Sequence, residues 1–229
     1  MQVERGYNQH WDDKFSAREW GRYPPEDLVR FMGRNFKTAD RQEIAVLEVG
    51  CGPGANIWFL HREGYRVAGI DGSPAAIDQA QLRIEIENTG LNEINPDLRV
   101  GDFSSLPWPD ESFDLVIDIF ALYANTIDVI EQTLGEVRRV LKPGGRFYSK
   151  LWGTNTTGFG QGTKVESHTY DKIPIGPCCD MGISHFFDID EIKQRFAMFQ
   201  IDAIDTVVRS DTIIGSDIEE IICQCTRPG

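Results

Sequence analysis

Val46-Leu47-Glu48-Val49-Gly50-Cys51-Gly52-Pro53-Gly54 joins an apolar run to three glycines at alternate positions. The run reads as a buried strand, Ile44–Val49, and the glycines as the tight turn feeding a helix over Asn56–Glu63. Glycine there permits positive φ and close backbone approach to a ligand, and a helix N-terminus offers free N–H donors. Two cofactor classes fit the loop. Gly50-x-Gly52-x-x-Ala55 satisfies the dinucleotide fingerprint, and Asp71 lies about 20 residues further on, where that fingerprint wants an acid. Glu48 points the other way: a carboxylate at the strand tip repels a pyrophosphate and favours a cofactor carrying an ammonium and a sulfonium.

Working outward, strand and helix signals alternate. Strands are expected at Arg66–Asp71, Asp97–Val100, Phe113–Ile119 and Arg146–Leu151. Helices are expected at Pro74–Asn88, with Ser73 as N-cap and Pro74 in the first turn, and at Ile127–Leu141, where Ile130, Leu134, Val137 and Leu141 form a stripe. Pro143-Gly144-Gly145 stops that helix. A helix at Asp188–Phe196 and strands at Gln200–Val208 and Glu219–Thr226 close the chain. With no helix between them, the last two strands read as an antiparallel hairpin at the edge of a parallel α/β sheet.

Two segments stand outside this pattern. Residues 1–43 carry Tyr7, Trp11, Trp20, Tyr23 and a Pro24-Pro25 pair opening a helix through Phe36, and read as a helical appendage or lid. Residues 153–185 are rich in glycine and threonine without periodicity, which suggests a loop that closes over or binds a ligand. The main domain then runs 44–229, with this stretch as a substrate-side insertion.

The 229 residues, 41% hydrophobic and 26% charged, can bury a core. The net charge of −13 disfavours binding to a phosphate backbone, where cationic neutralisation supplies most of the affinity. No secretory leader is read at Met1–Tyr7 and no apolar run has membrane-spanning length, so a cytoplasmic protein with free thiols is expected, with no membrane partner.

Further acids sit where ligands bind such sheets. Asp71, in Gly69-Ile-Asp-Gly72-Ser73, can accept from the two hydroxyls of a ribose. Asp102 can accept from an exocyclic adenine N–H, with the Phe103 backbone N–H serving a ring nitrogen. Cys178-Cys179 with His168 and His185 lacks zinc spacing, so no metal is expected, and Cys223 and Cys225 read as packed thiols on one strand face.

Taken in order, Val46–Gly54, Gly69-Ile-Asp-Gly-Ser-Pro74, Gly101-Asp-Phe103, Pro109-Asp-Glu-Ser-Phe-Asp-Leu-Val116 and Val140-Leu-Lys-Pro-Gly-Gly-Arg-Phe147 resemble the class I S-adenosylmethionine-dependent methyltransferases. The similarity is greatest to their small-molecule type 11/25 branch. It is strong over 44–151 and weaker beyond. It implies an α/β, Rossmann-like, doubly wound seven-stranded sheet of order 3-2-1-4-5-7-6 with strand 7 antiparallel. It also implies S-adenosylmethionine as cofactor, held by Glu48, Gly50 and Gly52 at the methionine end, Asp71 at the ribose, and Asp102 and Phe103 at the adenine, with Cys51, Gly72 and Ser73 also counted among the cofactor-binding residues. Residues Asp118 to Tyr123 would line the methyl region.

The expected activity is methyl transfer to a small-molecule acceptor rather than to nucleic acid. The alternatives are an NAD(P)-dependent oxidoreductase and a non-catalytic cofactor-binding protein on the same fold. An acceptor that must lose a proton needs a base, and the candidates are His168, His185 and Tyr170 in the long loop, with Asp118 and Tyr123 at the sheet edge. His185 precedes Phe186-Phe187-Asp188 and reads first as a residue fixing the entry to a helix, and second as a base. Trp20 reads either as cover for the sulfonium or as ordinary packing.

Overall fold

The computed structural model describes residues 9–37, 40–87 and 94–229. Two helices, α1 (Gln9–Ala17) and α2 (Glu26–Asn35), come first. Then β1 (Ala45–Val49), α3 (Ala55–Arg62), β2 (Arg66–Asp71), α4 (Pro74–Glu87), β3 (Asp97–Val100), β4 (Phe113–Ile119), α5 (Ile127–Val140) and β5 (Leu141–Trp152) alternate. The main sheet is completed by α6 (Ile189–Arg195) and the hairpin β9 (Gln200–Asp211) and β10 (Ser216–Thr226). Its order is β3-β2-β1-β4-β5-β10-β9. The first five strands pair in parallel, and β10 runs antiparallel to both β5 and β9. With β9 and β10 as sixth and seventh strands, this is the expected Rossmann-like order. The expected end of α4 at Asn88, and Tyr7, lie outside the described residues.

Alternation along β1 shows why its run is wholly apolar save one residue. Leu47 and Val49 join a core with Ile130, Leu134 and Val137 of α5 and Ile192 of α6. Val46 joins the opposite core, with Leu28 and Phe31 of α2, Ile57 and Leu60 of α3 and Ile77 of α4. Both faces are covered, so neither tolerates exposed polar side chains.

Three expectations are corrected. First, α5 ends at Val140 and β5 begins at Leu141, five residues before the expected Arg146. Leu141 is extended and pairs with Phe113, and Gly144 at φ 77° absorbs the turn inside the strand's first half. Second, residues 153–185 are not a structureless loop. They hold a second antiparallel sheet, β6 (Thr163–Glu166), β7 (Thr169–Asp171) and β8 (Ser184–His185), whose strands are too short to show a period of two. Phe159 packs against His168, Tyr170 and Phe186 within this unit. Third, the terminal hairpin extends to Asp211 and starts again at Ser216, beyond the apolar stretch that marked its strands.

The small sheet is fastened to the main one. Glu166 Oε1 accepts from the Ile127 N–H, 2.6 Å away, at the start of α5. The Phe187 N–H donates to the Trp152 carbonyl, and the Gly153 N–H to that of Glu219, both at 2.8 Å.

Candidate active site

The site forms at the C-terminal ends of β1, β2 and β4, where the parallel strands hand over to loops. Gly50 and Gly52 adopt φ 64° and 50°. A side chain at Gly50 would place its Cβ 2.2 Å from that of Ala121, so the glycine loop and the turn after β4 touch directly. The Gly52 N–H donates to Asp71 Oδ2 and the Ser73 N–H to Asp71 Oδ1, each at 2.9 Å. Asp71 therefore ties the glycine loop to the start of α4. Burial raises its carboxyl above the ordinary range, and the two N–H donors counter that rise. Ser73 caps α4 as expected, its Oγ accepting from the Ala76 N–H at 3.1 Å.

Glu48 is buried beneath this loop. Its Oε1 accepts from Asn56 Nδ2 at 2.6 Å, and Asn56 sits in the first turn of α3. Glu48 Oε2 and Asn56 Oδ1 are buried without a hydrogen-bond partner among the described residues. Burial pushes the Glu48 carboxyl up to about 8; the Asn56 hydrogen bond pulls it down, and the nearby Asp118 and Asp71 charges push it up. The Cys51 thiol, buried in the same loop, is also pushed up by its burial and by Asp71 and Glu48.

Asp118 is fully satisfied. Its Oδ1 accepts from the N–H groups of Ala121 (2.9 Å) and Leu122 (3.0 Å), and its Oδ2 from Ser149 Oγ (2.6 Å). Burial raises it to about 6 and the Ser149 hydroxyl opposes the rise. It positions the turn in which Phe120 takes φ 55°. Phe120 stacks on Trp152 at 3.9 Å, and Tyr123 meets Trp152 edge-on at 6.1 Å. Tyr123 is buried, and burial holds its hydroxyl in the neutral form. Asp102 is half-buried and its Oδ1 accepts from Ser104, by N–H at 2.8 Å and by Oγ at 2.7 Å. The Phe103 ring reaches within 3.7 Å of where a Gly50 Cβ would stand. Glu48, the glycine loop, Asp71 to Ser73, Phe103 and the Asp118 turn thus gather as one constellation.

The helix α1 lies against the same loop. The Phe15 ring stands 3.5 Å from the Cβ position of Gly52. Asp12 Oδ1 accepts from Ser73 Oγ (2.6 Å) and the Ala75 N–H (3.0 Å) at the start of α4. His10 Nε2 is 3.1 Å from the Asp180 carbonyl of the insertion. Trp20 packs on Phe15 and Trp11, with the Arg18 guanidinium 4.3 Å over its ring. The packing reading of Trp20 therefore accounts for its contacts. A cleft of about 680 Å³ separates Phe15–Arg22 from Leu82, Arg83 and Ile86 of α4.

The two candidate histidines converge elsewhere, on α6. His168 Nδ1 is 2.9 Å from Glu191 Oε2, and His185 Nε2 is 3.1 Å from Glu191 Oε1. His185 Nδ1 pairs with Thr169 Oγ1 at 2.7 Å, so both its ring nitrogens are taken. Asp188 caps α6, accepting from the Glu191 N–H at 2.7 Å. His185 thus stands just before α6, tied to it through Glu191. Asn56, Asp12 and Glu191 were not singled out from sequence. Asn56 alone left a local signal: an amide on the inward side of a short helix otherwise buried through Ile57 and Leu60.

Residues 46–145 match the family described as methyltransferase domain. A tRNA N(3)-cytidine methyltransferase of Gallus gallus is 29% identical over 170 residues, 71% of this chain and 44% of that protein. A demethylmenaquinone methyltransferase of Tropheryma whipplei is 40% identical over 101 residues, 44% of this chain and 38% of that protein. The chain spans less than half the length of these curated relatives. Among solved structures, a methyltransferase of the S-adenosylmethionine-dependent kind from Methanosarcina mazei superposes with a TM-score of 0.70 at 22% identity, covering 90% of this chain and 99% of that one. Over residues 46–145 the chain thus matches a methyltransferase domain, and it shares its fold with the Methanosarcina protein, whose cofactor is S-adenosylmethionine. The residues present fit that cofactor: a buried carboxylate with a free oxygen suits an ammonium, and a glycine cradle that a Cβ would fill suits close approach.

Proposed function

We propose that this chain, built on its methyltransferase domain, transfers a methyl group from S-adenosylmethionine to a small-molecule acceptor. The observation that carries the reading is the buried, half-satisfied Glu48 beneath a positive-φ glycine loop tied to Asp71. A dinucleotide pyrophosphate gains nothing from an unpaired carboxylate there, which disfavours the oxidoreductase alternative. Glu48 and the Gly50–Gly52 backbone would hold the methionine end, Asp71 the ribose, and Asp102 and Phe103 the adenine. S-adenosylmethionine supplies a methyl already activated on a sulfonium. The chain's share is then to exclude water and to align an acceptor in line with that methyl.

Phe120, Tyr123 and Trp152 form an aromatic wall beside the Asp118 turn and suit an acceptor with apolar surface. Glu191 engages both histidines, so neither is offered as the general base. Alignment rather than proton abstraction is the main contribution of these residues. The demethylmenaquinone relative, whose name specifies a small acceptor, favours this reading. The tRNA-modifying relative matches more of the chain and favours a second one, an RNA acceptor.

Calorimetric titration with S-adenosylhomocysteine and with NAD tests the cofactor. Binding of the first and not the second is expected, and the reverse would overturn the reading. Transfer of labelled methyl from S-adenosylmethionine to a panel of quinols, phenols and amines, set against unmodified tRNA, tests the acceptor.

A further inference from the structure

The strand β9 forms one edge of the main sheet and pairs only with β10. Ala203 lies opposite Gln224 and Ile201 opposite Cys225, so Asp202 is bulged out of the ladder. The regular edge therefore runs from Ala203 to Asp211, and Val207 stands at its midpoint. Among the described residues, its backbone makes no hydrogen bond beyond the β10 ladder and the turn bond from the Gly215 N–H to the Asp211 carbonyl. Alternate N–H and C=O groups along the edge thus face outward without a partner, a template for another strand. Natural edges are commonly blunted by proline, lysine or shortness. Ala203–Asp211 contains no proline, lysine or glycine, and Ile204, Thr206, Val207 and Val208 are β-branched strand formers.

We propose that this edge docks a second copy of the chain, the two β9 strands pairing antiparallel about a twofold axis at Val207. Directly opposed residues of an antiparallel pair turn their backbone groups the same way, so an edge meeting its own copy centres on a residue and never between two. Centring on Val207 engages the whole regular edge. It also sets Asp205 opposite Arg209 of the partner subunit, twice by symmetry. Centring on Asp205 sets that carboxylate against its own copy, and centring on Val208 sets it against Asp211. Centring on Thr206 opposes no unlike charges. Asp205 is exposed, accepting from Gln224 Nε2 at 3.3 Å, and Arg209 is 58% exposed although it pairs with Glu220 of its own chain. Both charges therefore stand where a partner strand would meet them. The same register carries each hairpin tip, with Ile213 93% and Ile214 74% exposed, to the start of the partner's β9, beside the exposed Met198. The apolar tip gains a cover there.

Sedimentation equilibrium on the full chain tests this, with the wild-type protein expected to dimerise at micromolar concentration. Asp205→Arg and Arg209→Glu each set like charges opposite one another twice, and each should weaken the dimer at least about tenfold. Mixed in equal amounts, the two variants should recover dimerisation to within about threefold of wild type, because each substituted side chain then faces an unlike charge on the other variant. A wild-type protein that stays monomeric overturns the proposal. So do charge reversals that leave the dimer unchanged, or a mixture of the two variants, each melting cooperatively, that associates no better than either alone. Hydrogen exchange gives a second readout that needs no variant. Amides within Ala203–Asp211 should slow as the wild-type concentration rises through the dimerisation range. Dimerisation without any such slowing places the interface elsewhere and overturns the proposal as well.

Discussion

Asp71 accepts from two backbone N–H groups, and on the proposed reading ribose hydroxyls would donate to its remaining lone pairs. Asp71→Asn keeps one acceptor oxygen and removes the charge. It is expected to weaken S-adenosylhomocysteine binding by about 1.5–3 kcal/mol, the scale of hydrogen bonds to a charged group. Calorimetry reads the loss, and unchanged affinity would refute the ribose role. Glu48 makes a second prediction through its proton. The groups that face it are Asn56 of α3, Asp71 of β2, Asp118 of β4 and the Cys51 thiol of the loop. Its carboxyl titrates near 8 in the free protein, against about 4.3 in an unfolded chain. The raised value means that Glu48 favours the folded state most fully below about pH 4.3, an advantage lost as pH rises through 8. At pH 7 the carboxyl is therefore mostly protonated and must lose that proton to face an ammonium. Binding of S-adenosylhomocysteine at pH 7 should release about one proton per ligand. The release is measured as a binding heat that changes with the buffer's ionisation enthalpy, and it should vanish in Glu48→Gln.

At the scale of elements, α1 is latched across the glycine loop. Asp12 holds the start of α4 on one side and His10 meets the insertion on the other. Bound S-adenosylhomocysteine should slow hydrogen exchange in residues 9–17, and Asp12→Ala should speed it by at least about tenfold in the free protein, as loss of its two bonds to the start of α4 implies. Equal exchange with and without ligand would remove α1 as a cofactor-coupled lid. The insertion is held differently, by Glu191. Burial works to raise its carboxyl, but hydrogen bonds from His185 and His168, with Arg195, bring it down to about 2. A depressed carboxyl stabilises the fold above its unfolded value of about 4.3 and loses that contribution as pH falls toward 2. Glu191→Gln is therefore expected to cost about 1–3 kcal/mol at pH 7. Thermal melts should show the two proteins converging by pH 2, and a gap that persists there would deny the charge its role.

For the whole molecule the deciding quantity is charge. The net value of −13 repels a polyanion over a Debye length of about 8 Å at physiological salt. Between residues 153 and 185 there is no arginine, the side chain best shaped for bidentate phosphate contact. Filter binding at low salt should show no sub-micromolar complex with tRNA. A tight complex with a steep salt slope would move the acceptor to RNA, as the tRNA-modifying relative allows. Among the described residues no helix is long and apolar enough to cross a membrane.

The sequence alone determined three of the parallel strands to the residue. Arg66–Asp71, Asp97–Val100 and Phe113–Ile119 coincide residue for residue with β2, β3 and β4. Glycine follows β2 and β3, at Gly72 and Gly101, and β2 and β4 carry buried apolar runs, so the signal is local. The glycine loop and the Ser73 cap were legible for the same reason: each is a backbone requirement written at one position. The small sheet within 153–185 was not, because strands of two to four residues give no period to read. Nor were the contacts that decide the site. Asp12 meets Ser73 across 61 residues, His168 meets Glu191 across 23, and Asn56 turns its amide toward Glu48 across a strand-to-helix turn. Only the tertiary structure chose these partners, because a side chain's direction is set by which face of its element packs inward, and that depends on every neighbouring layer at once.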